Sequence, residues 1–303
     1  MLATLLAKIN PMQNLDLSDF ITQHRLPEKY VQEAQRWFFP VADTIAEQQK
    51  NMDRTIIIGI NGAQGSGKST LADLLALVLS DKYQLNVVVL SIDDFYLTRQ
   101  QRETLSKTVH PLLATRGVPG THDVELAIDT TRSLCTKGTT SIPRFDKSID
   151  DRFPEGEWDQ AISKADVILF EGWCLGAEPQ SEEELREPVN ELEKNEDSSG
   201  SWRQYVNQQL RDVYPELFNM IDSWIMLKAP SFDCVYPWRL EQENKLRGSL
   251  SGSTPSTDKL MCEQELKRFI QHYQRITEHL LETLPEKVNF LFELDEHRNI
   301  VKS

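Results

Sequence analysis

The sequence predicts a three-layer α/β/α fold built on a mostly parallel central sheet, with added N-terminal helices and a helical lid. Three features lead to this prediction. Short apolar runs rich in β-branched residues recur along the chain, as in strands that are buried on both faces. Stretches with apolar residues at helical spacing separate these runs. The first run leads through a glycine-rich loop into a helix and then a second strand, which is the order of a βαβ unit.

The glycine-rich loop carries a phosphate-binding pattern. Residues 62–70 spell G-x-x-x-x-G-K-[ST], the P-loop, between the apolar run 55–60 and an amphipathic helix. The candidate ATP-binding residues are Gly62, Ala63, Gln64, Gly65, Ser66, Gly67, Lys68, Ser69 and Thr70. Backbone N–H groups would cradle the phosphates, Lys68 would reach the β- and γ-phosphates, and the Ser69 hydroxyl would ligate Mg²⁺. The loop therefore predicts a P-loop NTPase.

Residues 1–52 are predicted to form a helical extension that precedes the nucleotide-binding domain, residues 53–303. Apolar residues keep helical spacing in its second half, although Pro40 should kink or divide the pattern. The extension either packs on the main domain or offers a partner-binding helix through the aromatic run 37–39.

The second strand, residues 86–91, is followed by Asp93, Asp94 and Tyr96. Since the carboxyl ends of parallel strands meet at one edge of a sheet, Asp93 is expected near Lys68. A carboxylate there could take the proton from an acceptor hydroxyl, and Asp94 and Tyr96 are candidate substrate-binding residues. The alternative is that the two aspartates are solvated turn residues.

Two turn-rich stretches follow and carry cationic side chains. Arg116 and His122 could bind an anionic substrate group or brace their loop. Arg144 and Lys147 follow Pro143 in a segment too short for a helix. They could hold a carboxylate or phosphate of the substrate, or be ordinary surface charges.

The third strand, 166–170, ends in Glu171, which has the position of a Walker B carboxylate and would hold magnesium or orient the acceptor. Glu171 therefore joins Ser69 and Asp93 as a candidate metal ligand. The next segment, 178–197, contains nine acidic and two basic residues. With its serine-rich end it predicts a solvated, mobile insert over 178–200.

A fourth strand, 223–227, precedes a predicted lid region at 238–257. Arg239 could close over the triphosphate and neutralise charge during phosphoryl transfer, or pair with Glu243 on its own helix. Residues 248–255, which are rich in glycine and serine, predict a flexible break of the kind that a moving lid would use. A long amphipathic helix over 258–284 and a closing strand over 288–294 complete the domain.

Composition excludes several classes of function. The formal net charge is −14, and no basic stripe with interleaved aromatic residues suggests nucleic-acid binding. No apolar run is long enough for a membrane span. The apolar run at the start of the sequence is too short for a signal peptide. We expect a cytoplasmic enzyme with a small-molecule partner, while the oligomeric state stays open.

These motifs together resemble the P-loop small-molecule kinases that include phosphoribulokinase, uridine kinase and pantothenate kinase, and above all the D-glycerate 3-kinase group. The resemblance spans roughly residues 55–294. The motifs that carry it are the P-loop, S-I-D-D-F-Y at 91–96, R-G-V-P-G-T-H-D at 116–123, P-R-F-D-K-S at 143–148, F-E-G-W at 170–173 and W-R at 238–239. The resemblance implies transfer of the γ-phosphate of ATP to a hydroxyl of a small acid, D-glycerate giving 3-phosphoglycerate. It also implies that Asp93 is the base.

Two further functions stay open at this point. One is a kinase for another small hydroxyl compound, such as a nucleoside, pantothenate or a sugar phosphate. The other is a nucleotide-dependent regulatory ATPase that binds a protein. An acceptor site beside Asp93 would distinguish a kinase from a regulator.

Overall fold

A six-stranded sheet forms the centre of the molecule, in the strand order β10-β9-β8-β1-β7-β2. The computed structural model describes residues 15–250 and 263–303. The strands are β1 (Ile56–Gly62), β2 (Val87–Ser91), β3 (Thr140–Ile142), β4 (Phe145–Asp146), β5 (Asp151–Arg152), β6 (Asp159–Ala161), β7 (Val167–Gly172), β8 (Ser223–Lys228), β9 (Phe290–Leu294) and β10 (Ile300–Lys302). Within the sheet all pairs are parallel except β9 with β10. The predicted mostly parallel sheet is confirmed.

Helices cover both faces of this sheet. The α-helices are α1 (Ser18–His24), α2 (Tyr30–Glu33), α3 (Phe39–Met52), α4 (Lys68–Tyr83), α5 (Arg99–Thr108), α6 (Val124–Leu134), α7 (Glu191–Glu196), α8 (Ser201–Asp212), α9 (Tyr214–Phe218), α10 (Val235–Leu250) and α11 (Glu263–Thr283). None of the helices in these described ranges combines the length and apolar character that crossing a bilayer demands.

The alternation of side chains along β1 divides the core into two layers. Ile56, Ile58 and Ile60 pack with residues of α3 and α4 on one face. Ile57 packs on the other face with residues of α6, α8 and α11. The strand is buried along its whole length, as its continuous apolar run predicts for a strand covered on both sides.

The N-terminal helices form part of the first layer. A π-helical turn (Ala34–Phe38) leads into α3, whose second residue is Pro40, so the proline stands where its missing N–H costs little. Phe39 and Ile45 are buried in the same core layer as the isoleucines of β1. Residues 1–14 of the predicted extension lie outside the described residues.

The predicted strand boundaries agree with the structure to within two residues, but two predictions about loops are wrong. α10 continues to Leu250, so Gly248 does not begin a flexible break; residues 251–257 of the predicted lid lie outside the described residues. The segment between β7 and α8 is not a solvated excursion. It contains α7, and the side chains of Leu185, Leu192 and Glu193 are buried.

Candidate active site

Parallel register brings the candidate residues to one edge of the sheet. Glu171 on β7 lies level with Ile60 on β1 and with Ser91 on β2. The P-loop follows β1 directly, and Asp93 lies in a 3₁₀ turn (Ile92–Phe95) that follows β2. The Ser91 hydroxyl accepts a hydrogen bond from the Asp93 N–H and so caps this turn.

The P-loop has the backbone that its glycines predict. Gly65 and Gly67 have φ of 80° and 97°, in the left-handed region that glycine adopts without strain. A Cβ on Gly65 would lie 2.7 Å from the Cβ of Trp238, so the start of α10 packs directly on the loop. Within the described residues, the buried Ser66 Oγ has no hydrogen-bond partner, as expected of a loop shaped for a phosphate.

Glu171 joins the two P-loop residues that follow the glycines. The Ser69 hydroxyl donates a hydrogen bond of 2.9 Å to Glu171 Oε1, and Lys68 Nζ lies 3.8 Å from Oε2. Glu171 is buried, and its Oε2 accepts no hydrogen bond from the part of the chain that the structure describes. A hydroxyl and a buried carboxylate are oxygen ligands that suit Mg²⁺, so the residues fit the predicted metal.

Asp93 is held between two donors. The Tyr96 hydroxyl donates to Oδ1 over 2.7 Å, and Lys147 Nζ lies 2.7 Å from Oδ2. Burial alone would raise the pKa of Asp93, but the charges of Lys147 and Lys68 together hold it well below its usual range. Asp93 is therefore an ionised carboxylate within electrostatic reach of Lys68.

Asp94 has a different role from its neighbour. Its Oδ2 accepts a hydrogen bond of 2.7 Å from Arg144 Nη1, and its Oδ1 accepts one from the Phe145 N–H. Arg144 Nε also donates to Asp159. Asp94 and Arg144 thus anchor the β4–β5 hairpin, which carries Lys147 at its turn. For these two residues the structure supports bracing more than direct contact with a substrate.

Arg116 and His122 approach the site from the loop before α6. The Arg116 guanidinium is bonded to Asp150 and lies 5.5 Å from the centre of the Phe145 ring. His122 stacks on the Tyr96 ring, and its Nδ1 lies 2.6 Å from the Tyr214 hydroxyl. Burial lowers the pKa of His122 to about 4, so the ring is neutral at neutral pH. It could offer a substrate an N–H group, but not a positive charge.

Sequence reasoning missed Tyr273 on α11. Its hydroxyl donates to the Arg116 carbonyl over 3.2 Å, and a Cβ on Gly117 would collide with it. Burial and the charge of Asp93 raise the pKa of Tyr273, whereas the charges of Arg116 and Arg239 oppose this rise. Arg239 is therefore close enough to act electrostatically on the same group as Asp93 and Arg116. The residue is 157 positions from Arg116 and sits in an amphipathic pattern, so no local signal marked it.

Arg298 was also missed. It lies in the turn between β9 and β10, where it forms an ion pair with Glu241 and its Nη1 lies 3.4 Å from the Gly65 carbonyl oxygen. The Trp238 indole N–H donates to the Glu296 carbonyl of the same turn. The sequence predicted no second strand after β9, and hence no turn at this place beside the P-loop.

A P-loop at the carboxyl edge of a parallel sheet, with an ionised carboxylate near its lysine, defines the class of P-loop kinases. Comparison with known proteins places the chain within this class. No family model matches. The chain is 37% identical over 256 residues to the uncharacterized kinase mug58 of Schizosaccharomyces pombe, over 81% of this chain and 88% of that protein.

Other relatives have assigned names. The chloroplastic D-glycerate 3-kinase of Arabidopsis thaliana is 29% identical over 263 residues, which are 80% of this chain and 53% of the plant protein. The solved structure of D-glycerate 3-kinase from Cryptococcus neoformans has a TM-score of 0.70 at 26% identity, over 88% of this chain and 97% of that one. The protein belongs to the family of P-loop kinases that these relatives represent.

Proposed function

We propose that the protein transfers the γ-phosphate of ATP to a hydroxyl of a small acid, with D-glycerate as the preferred acceptor and 3-phosphoglycerate as the product. The observation that supports this most is Asp93, an ionised carboxylate near Lys68 with cationic residues around it. Resemblance to D-glycerate 3-kinases at the level of sequence and of fold supports the choice of acceptor.

The P-loop residues would bind ATP through their backbone N–H groups, and Lys68 would neutralise the terminal phosphates. Mg²⁺, when bound by Ser69 and Glu171, supplies positive charge to the phosphate oxygens. Asp93 would accept the proton of the acceptor hydroxyl as its oxygen forms a bond to the γ-phosphorus. The bond between that phosphorus and the β,γ-bridging oxygen breaks, and ADP leaves. Arg239 would stabilise the charge of the transferred group.

The lowered pKa makes Asp93 a weak base in the free protein but keeps it ionised at neutral pH. That suits phosphoryl transfer, in which the attacking hydroxyl loses its proton late and positioning contributes more than basicity. The carboxylate must therefore be placed accurately, and Tyr96 together with the Ser91 cap fixes its position.

The test is an assay of purified protein with ATP, Mg²⁺ and a panel of hydroxy acids, nucleosides and vitamins, with product detection for each. We expect D-glycerate to give the highest kcat/KM. Asp93→Asn should lower kcat by about 10²–10⁴-fold while ATP still binds, since it removes only the proton acceptor. Lys68→Ala should weaken ATP binding and also lower kcat, because Lys68 would contact the terminal phosphates.

Control and refutation follow from the same assay. Asp129→Asn removes a carboxylate from an exposed position on α6 and should leave turnover unchanged. Near-normal turnover in Asp93→Asn would show that the base assignment is wrong. Background ATP hydrolysis with every compound would favour a nucleotide-dependent regulator, and transfer to a different compound would reassign the acceptor.

A further inference from the structure

Lys147 covers the candidate base in the free protein. Its ammonium lies 2.7 Å from Asp93 Oδ2, while Oδ1 accepts the hydrogen bond of the Tyr96 hydroxyl. Both carboxylate oxygens are thus engaged by donors. An acceptor hydroxyl that uses Oδ2 as its proton acceptor competes with the ammonium for this oxygen. Withdrawal of the ammonium would clear the approach to Oδ2 and would also make the carboxylate more basic, because the nearby positive charge lowers its pKa.

The surroundings of the two donors show which one can withdraw. The Tyr96 ring is buried, stacked on His122 at 4.8 Å and edge-on to Phe145 at 5.1 Å, so moving it would disrupt the core. The Lys147 side chain is 57% exposed on the turn of the β4–β5 hairpin. A lysine ammonium on a flexible stem changes partners at little cost. Lys147 is therefore the donor that moves.

The charges near Lys147 indicate where its ammonium can go. Asp93 and Glu171 attract it, and the positive charge of Arg116 repels it. Arg116 is fixed by its ion pair with Asp150 and by the Phe145 ring, so it stays in place as a second cation. An anionic group lying between these two cations would relieve their repulsion and form charge-assisted hydrogen bonds.

We infer that Lys147 selects acid acceptors by exchanging Asp93 Oδ2 for the acceptor's carboxylate, so that the anionic group of the substrate uncovers the base. This inference rests on the proposed function. A neutral alcohol of the same size offers no group that draws the ammonium away from Oδ2. Arg116 helps to bind the acid, but Lys147 is the side chain that both binds the carboxylate of the substrate and frees Asp93 for the acceptor hydroxyl.

The test compares D-glycerate with glycerol, which has the same three-carbon skeleton without the carboxylate. We would measure kcat/KM for both acceptors, with saturating ATP and Mg²⁺, in the wild type, Lys147→Met and Lys147→Arg. Methionine keeps the length of the side chain and removes its charge. Since Lys147 lies on an exposed turn, the variants should fold, and their thermal transitions would confirm this.

A matched control removes a lysine charge elsewhere. Lys137 is exposed in the connection between α6 and β3. The end of α6 lies beside the start of β7, because the Leu134 carbonyl accepts a hydrogen bond from the N–H of Ala165, two residues before that strand. This position is at the amino edge of the sheet, opposite the P-loop. Lys137→Met should keep the kinetic constants of the wild type for both acceptors.

We expect Lys147→Met to reduce the preference for D-glycerate over glycerol by about 10- to 100-fold, which is the loss of one charge-assisted hydrogen bond, mostly through KM for D-glycerate. Lys147→Arg should retain most of the preference. An equal loss on both acceptors would overturn the inference and leave the proposed function standing. A wild type that phosphorylates no acid at all would overturn both.

Discussion

Replacement of Arg275 by methionine would test whether the acidic segment is part of the folded core. Arg275 on α11 forms a two-point ion pair with Glu193, through Nε to Oε1 at 2.8 Å and Nη2 to Oε2 at 2.6 Å. It also donates to the carbonyls of Glu184 and Glu187. The Arg275 side chain is 8% exposed and that of Glu193 1%. Removing the arginine leaves a buried carboxylate and two carbonyl groups without this hydrogen-bond donor.

The expected cost follows from this burial. Breaking a buried pair by removing one partner costs about 3–5 kcal/mol, because the other charge is left without compensation. With an unfolding entropy of about 2.1 cal/mol/K per residue, a chain of 303 residues loses about 5–8 °C in Tm. Differential scanning calorimetry measures this shift. Adding Glu193→Gln to Arg275→Met should recover part of it, since the stranded charge is then gone.

Arg186→Met is the matched control in the same segment. Arg186 pairs with Glu183, but their side chains are 68% and 80% exposed, so the loss should be below about 1 kcal/mol, or about 2 °C. If Arg275→Met lowered Tm no more than Arg186→Met does, the ion pair would not hold the segment in place. The solvated insert that the composition predicts would then be the better description.

Three further predictions concern the site and its surroundings. Tyr96→Phe removes the hydrogen bond to Asp93 Oδ1 and should lower kcat about tenfold without changing KM for ATP in steady-state assays. Gly65→Ala forces a side chain into the left-handed region and into the tryptophan at the start of α10, so ATP affinity, measured by fluorescence titration, should fall at least about tenfold. Burial lowers the pKa of His272 from 6.5 to about 4, so the unfolded chain binds a proton there that the folded chain does not. The free energy of unfolding should therefore fall as pH decreases from about 6.5 to 4, by up to about 1.4 kcal/mol per pH unit for this ring. Denaturant titrations should show a shallower fall in His272→Gln. The variant His297→Gln, at an exposed position, should show the same fall as the wild type.

Local patterns were sufficient to predict the centre of the fold. A buried strand, the glycine loop and the helix after it are adjacent in the chain, so their spacing is visible in the sequence. The edge at which Asp93 and Glu171 meet follows from the geometry of parallel strands alone. The family that these motifs resemble is the one that the comparisons support.

The rest of the site depends on contacts between distant segments. Lys147 and Asp93 are 54 residues apart, and nothing in either motif shows that they touch. Arg144 appeared suitable for a substrate anion, but the structure pairs it with Asp94 and Asp159. The high charge of segment 178–197 predicts a solvated segment, because composition describes an average over residues. It does not show that one of these carboxylates, Glu193, is buried against Arg275, 82 positions away.

The packing of α3 and of the π-helical turn before it determines where the chain could be shortened. Phe38, Phe39, Val41 and Ile45 are buried in the same layer as the residues of α4 behind the P-loop. At about 1.5–3 kcal/mol for each side chain, their burial is worth on the order of 10 kcal/mol, as much as the net stability of many whole domains. A protein shortened to begin at residue 53 would leave isoleucines of β1 and leucines of α4 open to water. We therefore expect the early helices and the nucleotide-binding loop to unfold together, and recombinant fragments should keep both.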